Sequence, residues 1–392
     1  MAATALLTLG RLPKALTLAR ALKSAGYRIV IAEPFRWHVA RPSNAVDRSV
    51  KVPSPNHDLP GYLRALTNII VDESVDLVVP VSEEIHHIAA LRAHLPAQVR
   101  LLGPTGDQHA ELHNKSRFIE RAQRLGLPTP ETHPTDSAAA QLLAAAEDFV
   151  IKPIDGCSGI GLSLHRRGDR LPATTRPSVV QRRIEGDTLS TLSWLQDGQE
   201  LGTVVYRPKV LSGTVAVCFE RVDGLVSVHD WVSKFLTGLD FTGFIGFDFI
   251  LSDDGTPWPL ECNPRLTSGI HFFDQSALGR IVANNAGTEL LPLNSTRRWQ
   301  WSYSTLTEAY AALFKGRFGD ATRALRHLVS TRDVVWSWRD PLPYFLMTPM
   351  SWELLKPAIT EGISLGEACQ RDIAALWSGR HAIKSGGDGR EA

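Results

Sequence analysis

A β-hairpin signal centred on Asp254 and Gly255 restricts how this 392-residue chain can fold more than any other feature. Two apolar runs flank this dipeptide, which favours a tight turn because the turn needs positive φ angles. Counting outward from a two-residue loop places Asp248 opposite Glu261. Asn263, two residues beyond Glu261, leaves the same face of the strand. The sequence therefore predicts two carboxylates and an amide side by side on one face of an antiparallel sheet.

Such a cluster has two interpretations. Adjacent carboxylates repel each other unless a cation lies between them, and Asp248, Glu261 and Asn263 offer the oxygen ligands that Mg²⁺ prefers and usually shares with substrate phosphates. Mn²⁺ accepts the same kind of ligand. The alternative is a solvated acidic pair near a turn, and these residues alone favour neither interpretation.

The pattern of the chain changes along its length. In the first third, strands alternate with helices, which predicts an α/β domain with a parallel sheet. Short strand-like runs follow and predict α+β domains with an antiparallel sheet, and then a helical C-terminal extension. The predicted boundaries are residues 1–112 for the α/β domain, 113–183 for a small lid subdomain, 184–290 for a larger subdomain with the metal site, 291–378 for the helical extension and 379–392 for a disordered tail.

A lysine and a glycine-rich stretch precede this hairpin. Lys152 ends a strand-like run and is followed by Gly156, Gly159 and Gly161. Glycine lets backbone N–H groups approach a phosphate closely, and a neighbouring lysine neutralises phosphate charge. No GK[ST] sequence opens a helix here, so this is not a Walker A loop. Taken alone, this stretch is better explained by an ordinary hairpin.

In chain order these features resemble the ATP-grasp superfamily. The resemblance rests on Asn114-Lys115 at the start of a helix, Lys152 with the glycine-rich loop, the stretch 179–186, Asp248, and Glu261-Cys-Asn-Pro-Arg265. It implies a carboxylate–amine ligase of the type of the carbamoyl phosphate synthase large chain. A weaker resemblance, to ATP-grasp ligases that form mycosporine-glycine, rests on Glu83-Glu84, Leu112-His-Asn-Lys115 and Phe118-Ile119.

The resemblance implies ATP and Mg²⁺ as cofactors and assigns a role to each matching position. Asp248, Glu261 and Asn263 would hold the metal, and Arg265, Lys152 and Arg207 would act on the reacting groups. A larger set would contact ATP: Lys115, Lys152, Gly156, Ser158, Gly159, Gly161, Gln181, Arg182, Ile184 and Asp187. The chain departs from the family where a glutamate often binds ribose, because Thr188 occupies that position.

Three functions fit these implications. The first is ligation of a small carboxylic acid to an amine or amino acid through an acyl phosphate, with release of ADP and phosphate. The second is phosphorylation of an enol or hydroxyl followed by displacement by an amino acid. The third is a non-catalytic, ATP-binding regulatory subunit, although such a protein would be free to lose the charged residues that this chain keeps.

Composition limits the partners that we expect. Lys plus Arg (42) nearly balances Asp plus Glu (41), which gives no global field for binding a nucleic acid. Four scattered cysteines indicate reduced thiols and a cytoplasmic location. No apolar run reaches the ~20 residues of a membrane span, so no membrane partner is expected. Small acid and amine substrates are the expected partners, and apolar spacing over residues 305–328 predicts a helix able to support a homodimer.

Overall fold

The computed structural model describes residues 2–156, 161–213, 215–283, 288–363, 368–369 and 372–373. Three sheets organise this part of the chain. The strands are β1 (Thr4–Thr8), β2 (Arg28–Glu33), β3 (Arg48–Lys51), β4 (Leu77–Val79), β5 (Arg100–Leu101), β6 (Thr132–Pro134), β7 (Phe149–Pro153), β8 (Ser163–His165), β9 (Ser178–Arg182), β10 (Asp187–Gln196), β11 (Gln199–Ser212), β12 (Val215–Arg221), β13 (Gly243–Leu251), β14 (Pro257–Asn263), β15 (Arg298–Gln300) and β16 (Arg332–Asp333).

Helices cover the faces of these sheets. They are α1 (Pro13–Ser24), α2 (Leu59–Asp72), α3 (Ile85–Ile88), α4 (Gly106–His113), α5 (Lys115–Arg124), α6 (Ala138–Ala146), α7 (Val226–Leu236), α8 (Gln275–Ala283), α9 (Ser302–Phe314), α10 (Phe318–Ser330), α11 (Leu342–Phe345), α12 (Met347–Met350) and α13 (Trp352–Glu361). Within the described ranges, no helix has both the length and the apolar character that crossing a membrane requires.

The first sheet is parallel, as the alternating pattern predicted. Its five strands run in the order β3-β2-β1-β4-β5. The central strand β1 is buried along its whole length because helices cover both faces of the sheet. The loops after β1 and β4 lie next to each other, since the carboxyl ends of neighbouring parallel strands meet at one edge. This edge faces the later part of the chain.

The other two sheets are built mainly from antiparallel pairs. A four-stranded sheet, in the order β6-β9-β7-β8, carries the glycine-rich connection between β7 and β8. A seven-stranded sheet follows in the order β14-β13-β10-β11-β12-β15-β16. Strand β10 was not among the predicted strands. It lies between β13 and β11, where both faces are buried, so its sequence shows little alternation of apolar and polar residues.

The C-terminal region differs in detail from the prediction. The extension predicted to be helical contains α9 to α13 but also supplies β15 and β16, which complete one edge of the seven-stranded sheet. The helical stretch predicted over residues 305–328 consists of two helices, α9 and α10, because the chain turns at Gly316 with a φ of +70°. The apolar spacing continues through the turn, so periodicity alone does not reveal the break.

The large sheet is packed on both faces. One face shares a core with the N-terminal domain, through residues such as Leu16, Leu192 and Phe272. The other face packs against α5 and α7, where Phe118, Trp231 and Phe247 meet. The N-terminal domain therefore lies directly against the sheet that carries the β13–β14 hairpin.

Candidate active site

The β13–β14 hairpin places Asp248 opposite Glu261, which confirms the predicted pairing. The predicted two-residue loop was wrong, however. Ser252 N donates to Thr256 O at 3.1 Å, and the loop of three residues between them ends at Gly255 with a φ of +81°. The longer loop shifts the pairing by one residue, and a β-bulge next to Glu261 shifts it back. Two departures from the simple hairpin therefore cancel at the position of the carboxylates.

The two carboxylates are close together, and their pKa values move in opposite directions. Asp248 Oδ1 accepts a hydrogen bond from Ser190 Oγ at 2.5 Å, and Oδ2 accepts one from Asn263 Nδ2 at 3.0 Å. Burial and then the neighbouring Glu261 carboxylate raise the pKa of Asp248 to about 7. Burial also acts to raise the pKa of Glu261, but two lysine ammonium groups outweigh it, so this pKa is lowered. The pair therefore takes up one proton, shared between the two carboxylates, as the pH falls through about 7.

Lys115 and Lys152 supply these positive charges. Lys115 begins α5, whose N-cap is Asn114, and its Nζ lies 3.5 Å from Glu261 Oε2. Lys152 comes from β7 in the four-stranded sheet, and its Nζ donates to Leu260 O at 3.2 Å. Burial and then the charge of Lys115 lower the pKa of Lys152 to about 8. Two buried ammonium groups from different elements thus face the same carboxylate, which is an arrangement suited to an anionic ligand such as a phosphate chain.

Arg265 connects this cluster to the N-terminal domain. Its Nη2 donates to Asn263 Oδ1 at 2.8 Å, and its Nε donates to Glu83 Oε1 at 2.8 Å. Burial acts to raise the pKa of Glu83, but Arg265 outweighs it and the pKa falls to about 2. Lys14 of α1 donates to Leu266 O at 2.8 Å, so the N-terminal domain also holds the residue after Arg265.

The donor set fits a divalent cation. A cation between Asp248 and Glu261 would relieve the repulsion that now keeps a proton on the pair. The Asn263 amide nitrogen faces Asp248, so its oxygen joins such a site only after the amide turns. Among the described residues, no group of three or more His, Cys, Asp or Glu side chains could hold a metal ion. Substrate oxygens and water would therefore complete the coordination, as is usual for Mg²⁺.

Gln181 and Arg182 end β9 beside this cluster. The Gln181 side chain is buried and donates to Thr132 Oγ1 at 2.8 Å. The Arg182 guanidinium lies 5.0 Å from the Trp258 ring, at cation–π distance. The Gln181 bond joins β9 to β6 within the four-stranded sheet, and the Arg182 contact joins the end of this sheet to the β13–β14 hairpin.

Residues 183–186 then cross from the four-stranded sheet to the seven-stranded sheet. Ile184 makes no backbone hydrogen bond with any other residue that the structure describes. A free backbone N–H and C=O at this crossing are what the resemblance implies for contact with an adenine base. Asp187, the first residue of β10, is exposed and pairs with Leu251. Its carboxylate is therefore open to a polar group such as a ribose hydroxyl.

The glycine-rich loop is described at its two ends. Gly156 O accepts a hydrogen bond from Lys115 Nζ, which joins the start of the loop to the charged cluster. Gly161 has a φ of +80°. Ser158 and Gly159, which the resemblance assigns to ATP, lie outside the described residues.

Arg207 does not lie in this cluster. Tyr206 pairs with Ser190, and Ser190 pairs with Asp248, so these three side chains share one face of the sheet. Arg207 is the next residue of β11 and points to the opposite face, where it donates to Glu220 Oε2 at 2.9 Å. The expectation that Arg207 acts on the reacting groups is corrected accordingly.

Sequence reasoning assigned no role in the site to three residues that complete the cluster, namely Ser190, Glu83 and Lys14. Ser190 was missed because β10 was not recognised as a strand. Glu83 and Lys14 follow the carboxyl ends of β4 and β1, where loops of a parallel sheet meet a ligand or another domain. That position was a usable signal, but only a prediction of which strands are neighbours would have placed Glu83 next to Arg265 and Lys14 next to Leu266.

Residues 112–269 match the family model of the ATP-grasp domain. Two carbamoyl phosphate synthase large chains from strains of Thermus thermophilus are similar to this chain. One is 26% identical over 297 residues, which cover 68% of this chain and 27% of that protein. The other is 26% identical over 212 residues, which cover 48% and 20%. The chain thus spans about a quarter of the length of these relatives.

Solved structures share the fold over most of the chain. The biotin carboxylase domain of Hydrogenobacter thermophilus 2-oxoglutarate carboxylase, in complex with MgADP, ADP and bicarbonate, is 17% identical with a TM-score of 0.60, covering 75% of this chain and 73% of that one. N5-carboxyaminoimidazole synthetase from Staphylococcus aureus is 14% identical with a TM-score of 0.57, covering 74% and 78%. L-amino acid ligase from Bacillus licheniformis is 18% identical with a TM-score of 0.54, covering 74% and 77%. Residues 112–269 thus match an ATP-grasp domain in sequence, as the order of the motifs predicted.

Proposed function

We propose that the chain is an ATP-dependent ligase that joins a small carboxylic acid to an amine or amino acid through an acyl phosphate and releases ADP and phosphate. One observation carries this proposal. Lys115 and Lys152 converge from two elements on the pair formed by Asp248 and Glu261, with Arg265 at its edge. Cations and carboxylates arranged in this way are suited to holding a metal–nucleotide complex beside a reacting phosphoryl group.

The nucleotide would lie between the two antiparallel sheets. Lys115 and Lys152 would neutralise its phosphates, and Gly156, already in contact with Lys115, would bring the glycine-rich loop over them. The free backbone of Ile184 would contact the adenine base. Asp187 would take the ribose hydroxyls in place of the glutamate that is absent at Thr188. Each of these contacts uses a group that is either exposed or able to exchange its present hydrogen-bond or ion-pair partner for the nucleotide.

The chemistry needs positioning and charge neutralisation more than acid–base catalysis. Mg²⁺ held by Asp248, Glu261 and Asn263 would neutralise charge on the phosphate oxygens. A carboxylate oxygen of the acid attacks the γ-phosphorus and ADP leaves, which gives an acyl phosphate. The amine nitrogen then attacks the acyl carbon, forming the C–N bond and releasing phosphate and a proton. Arg265 would neutralise the oxygens of the transferred group.

The N-terminal domain would complete the site on the acceptor side. Glu83 holds the Arg265 guanidinium, and Lys14 holds the backbone at Leu266. Glu83 lies in the loop that follows β4, and Lys14 lies in the first turn of α1, the helix that follows β1. The acid would therefore bind between this edge and the hairpin, where the packed domains exclude the water that would hydrolyse an acyl phosphate.

A coupled ADP-release assay over paired libraries of acids and amines tests the proposal, with mass spectrometry of the products. We expect ADP release that depends on both an acid and an amine and yields their condensation product. Glu261→Gln should reduce the rate by at least a hundredfold, the usual result of removing a charge that stabilises the transition state. Glu120→Gln, an exposed change on α5, is the matched control and should leave the rate unchanged. Normal turnover by Glu261→Gln would contradict the assignment.

A further inference from the structure

The α9–α10 hairpin has an unusual distribution of apolar side chains. The side chains that it buries are small, namely Ala309, Ala312, Ala321 and Ala324, each 1% exposed, and Ala309 and Ala324 pack against the sheet. Toward solvent it presents large ones, namely Leu306 (37% exposed), Tyr310 (55%), Leu313 (40%), Phe314 (91%), Phe318 (68%), Leu325 (44%) and Val329 (88%). We call these seven side chains the outer face. A surface helix normally has the opposite arrangement, so the outer face indicates an interface.

The spacing of the outer face indicates that its partner is helical. In α9, Leu306, Tyr310 and Leu313 follow one another at intervals of four and three residues. In α10, Phe318 and Leu325 are seven residues apart, and Val329 follows four residues later. Intervals of three and four that repeat every seven residues form the seam along which helices pack with one another. Two antiparallel helices with such seams are half of a four-helix bundle.

The exposed area matches what a stable dimer requires. Taking ordinary areas for whole apolar side chains, the outer face exposes on the order of 800 Å², which is the contribution of one partner to a standard interface. Isolated monomers rarely expose a contiguous apolar patch larger than a few hundred Å². The area is therefore sufficient for a second copy and larger than a monomer normally leaves open.

Contacts within the chain also fix the shape of the α9–α10 hairpin without a partner. Arg317 donates to Glu308 at 2.9 Å and to Asp320 at 3.2 Å, which joins the two helices across the turn at Gly316. Beneath them, Ala309 and Ala324 pack with the apolar side chains of β11 and β12 around Cys218. A rigid, preformed face binds without a large cost of ordering.

We infer that the outer face binds the same hairpin of a second copy of this chain, so that two hairpins related by a two-fold axis form a four-helix bundle. Such an interface is isologous, because the same surface is used on both sides. It lies on β11 and β12, whereas the candidate catalytic carboxylates lie on β13 and β14. Dimerisation and ligase activity are therefore separable, and failure of one inference leaves the other intact.

Light scattering coupled to size-exclusion chromatography tests this inference on the full chain. At micromolar concentration the wild-type protein should have twice the 43.1 kDa mass of one chain. The double variant Leu325→Glu/Val329→Glu should have the mass of one chain, because it places charges in the seam. Leu142→Glu is the matched control, since Leu142 is 72% exposed on α6, outside the hairpin, and this variant should stay dimeric.

Circular dichroism should show that each variant unfolds at a temperature close to that of the wild-type protein. A wild-type protein that is monomeric would overturn the inference, as would a dimer that survives the double variant. Sedimentation of a monomeric wild-type protein with vesicles containing phosphatidylglycerol would instead assign the outer face to a lipid surface. A second test is the crosslinking of Leu325→Cys by oxidation, which should join two copies when the hairpins face each other.

Discussion

Replacement of Asp248 by Asn should stabilise the metal-free protein while abolishing turnover. Asp248 lies beside Glu261, and its pKa is raised to about 7 by burial and by that neighbour. The folded state therefore binds the Asp248 proton more tightly than the unfolded state does. This contribution to stability is fully present below the ordinary pKa of 3.8 and is lost as the pH rises through about 7. Asn cannot ionise, so the stability of the variant should not fall over this pH range.

The size of the effect follows from the same pKa values. A rise from 3.8 to about 7 corresponds to about 4 kcal/mol at pH 8, since each tenfold change in proton affinity contributes about 1.4 kcal/mol. Three factors reduce this figure: Asp248 keeps some contact with solvent, it titrates together with Glu261, and Asn263 loses a hydrogen-bond acceptor in the variant. We therefore expect a gain of about 2 kcal/mol in the free energy of unfolding at pH 8, and less than half of that gain at pH 5, where the unfolded state is already ionised.

Thermal unfolding in the presence of a chelator, measured from pH 5 to pH 8, checks this prediction. The melting temperature of Asp248→Asn should exceed that of the wild-type protein by a few degrees at pH 8, and this difference should shrink toward pH 5. Addition of MgCl₂ at pH 8 should raise the melting temperature of the wild-type protein only. Asp253→Asn, an exposed change in the same hairpin, is the control. A difference that does not depend on pH, or a less stable variant at pH 8, would refute the reasoning.

Three further predictions concern other charged groups. Because the pKa of Lys152 is about 8, nucleotide affinity measured by calorimetry should fall between pH 7 and pH 9. The Lys152→Met variant should bind the nucleotide weakly at every pH and should not show this fall. Glu83→Gln should lower the rate of ADP release more than nucleotide affinity, because it removes the carboxylate that holds the Arg265 guanidinium and leaves the nucleotide site unchanged. Equal losses of rate and affinity would contradict this. Asp372→Ala should lower the free energy of unfolding by about 3 kcal/mol, since buried Arg11 loses one of its two carboxylate partners; an unchanged melting temperature would show that this contact contributes nothing.

The sequence was sufficient to predict the parallel first sheet and the pairing of Asp248 with Glu261. The first prediction succeeded because strands and helices alternate clearly there. The second succeeded although the loop was predicted one residue too short, because the bulge beside Glu261 compensates. A Gly in the turn signals a tight loop but does not distinguish two residues from three, and nothing in a single sequence marks the bulge.

Other features depend on contacts between distant parts of the chain. Ser190 was missed because both faces of β10 are buried, which removes the alternation that identifies a strand. Arg207 was misplaced because its face of the sheet is set by the register of β11 with β10. Glu83 reaches Arg265 only because the N-terminal domain packs on the large sheet, and that docking has no local sequence signal.

Transfer of ¹⁸O from the acid substrate to inorganic phosphate tests the central claim most directly. The acid found in the ADP-release assay would be labelled in its carboxylate and incubated with ATP, the amine and the enzyme, and the phosphate would be analysed by mass spectrometry. Attack of the carboxylate on the γ-phosphorus predicts one ¹⁸O atom in each phosphate released, because the acyl–oxygen bond breaks when the amine adds. Product formed together with unlabelled phosphate would contradict an acyl phosphate and with it the proposed reaction.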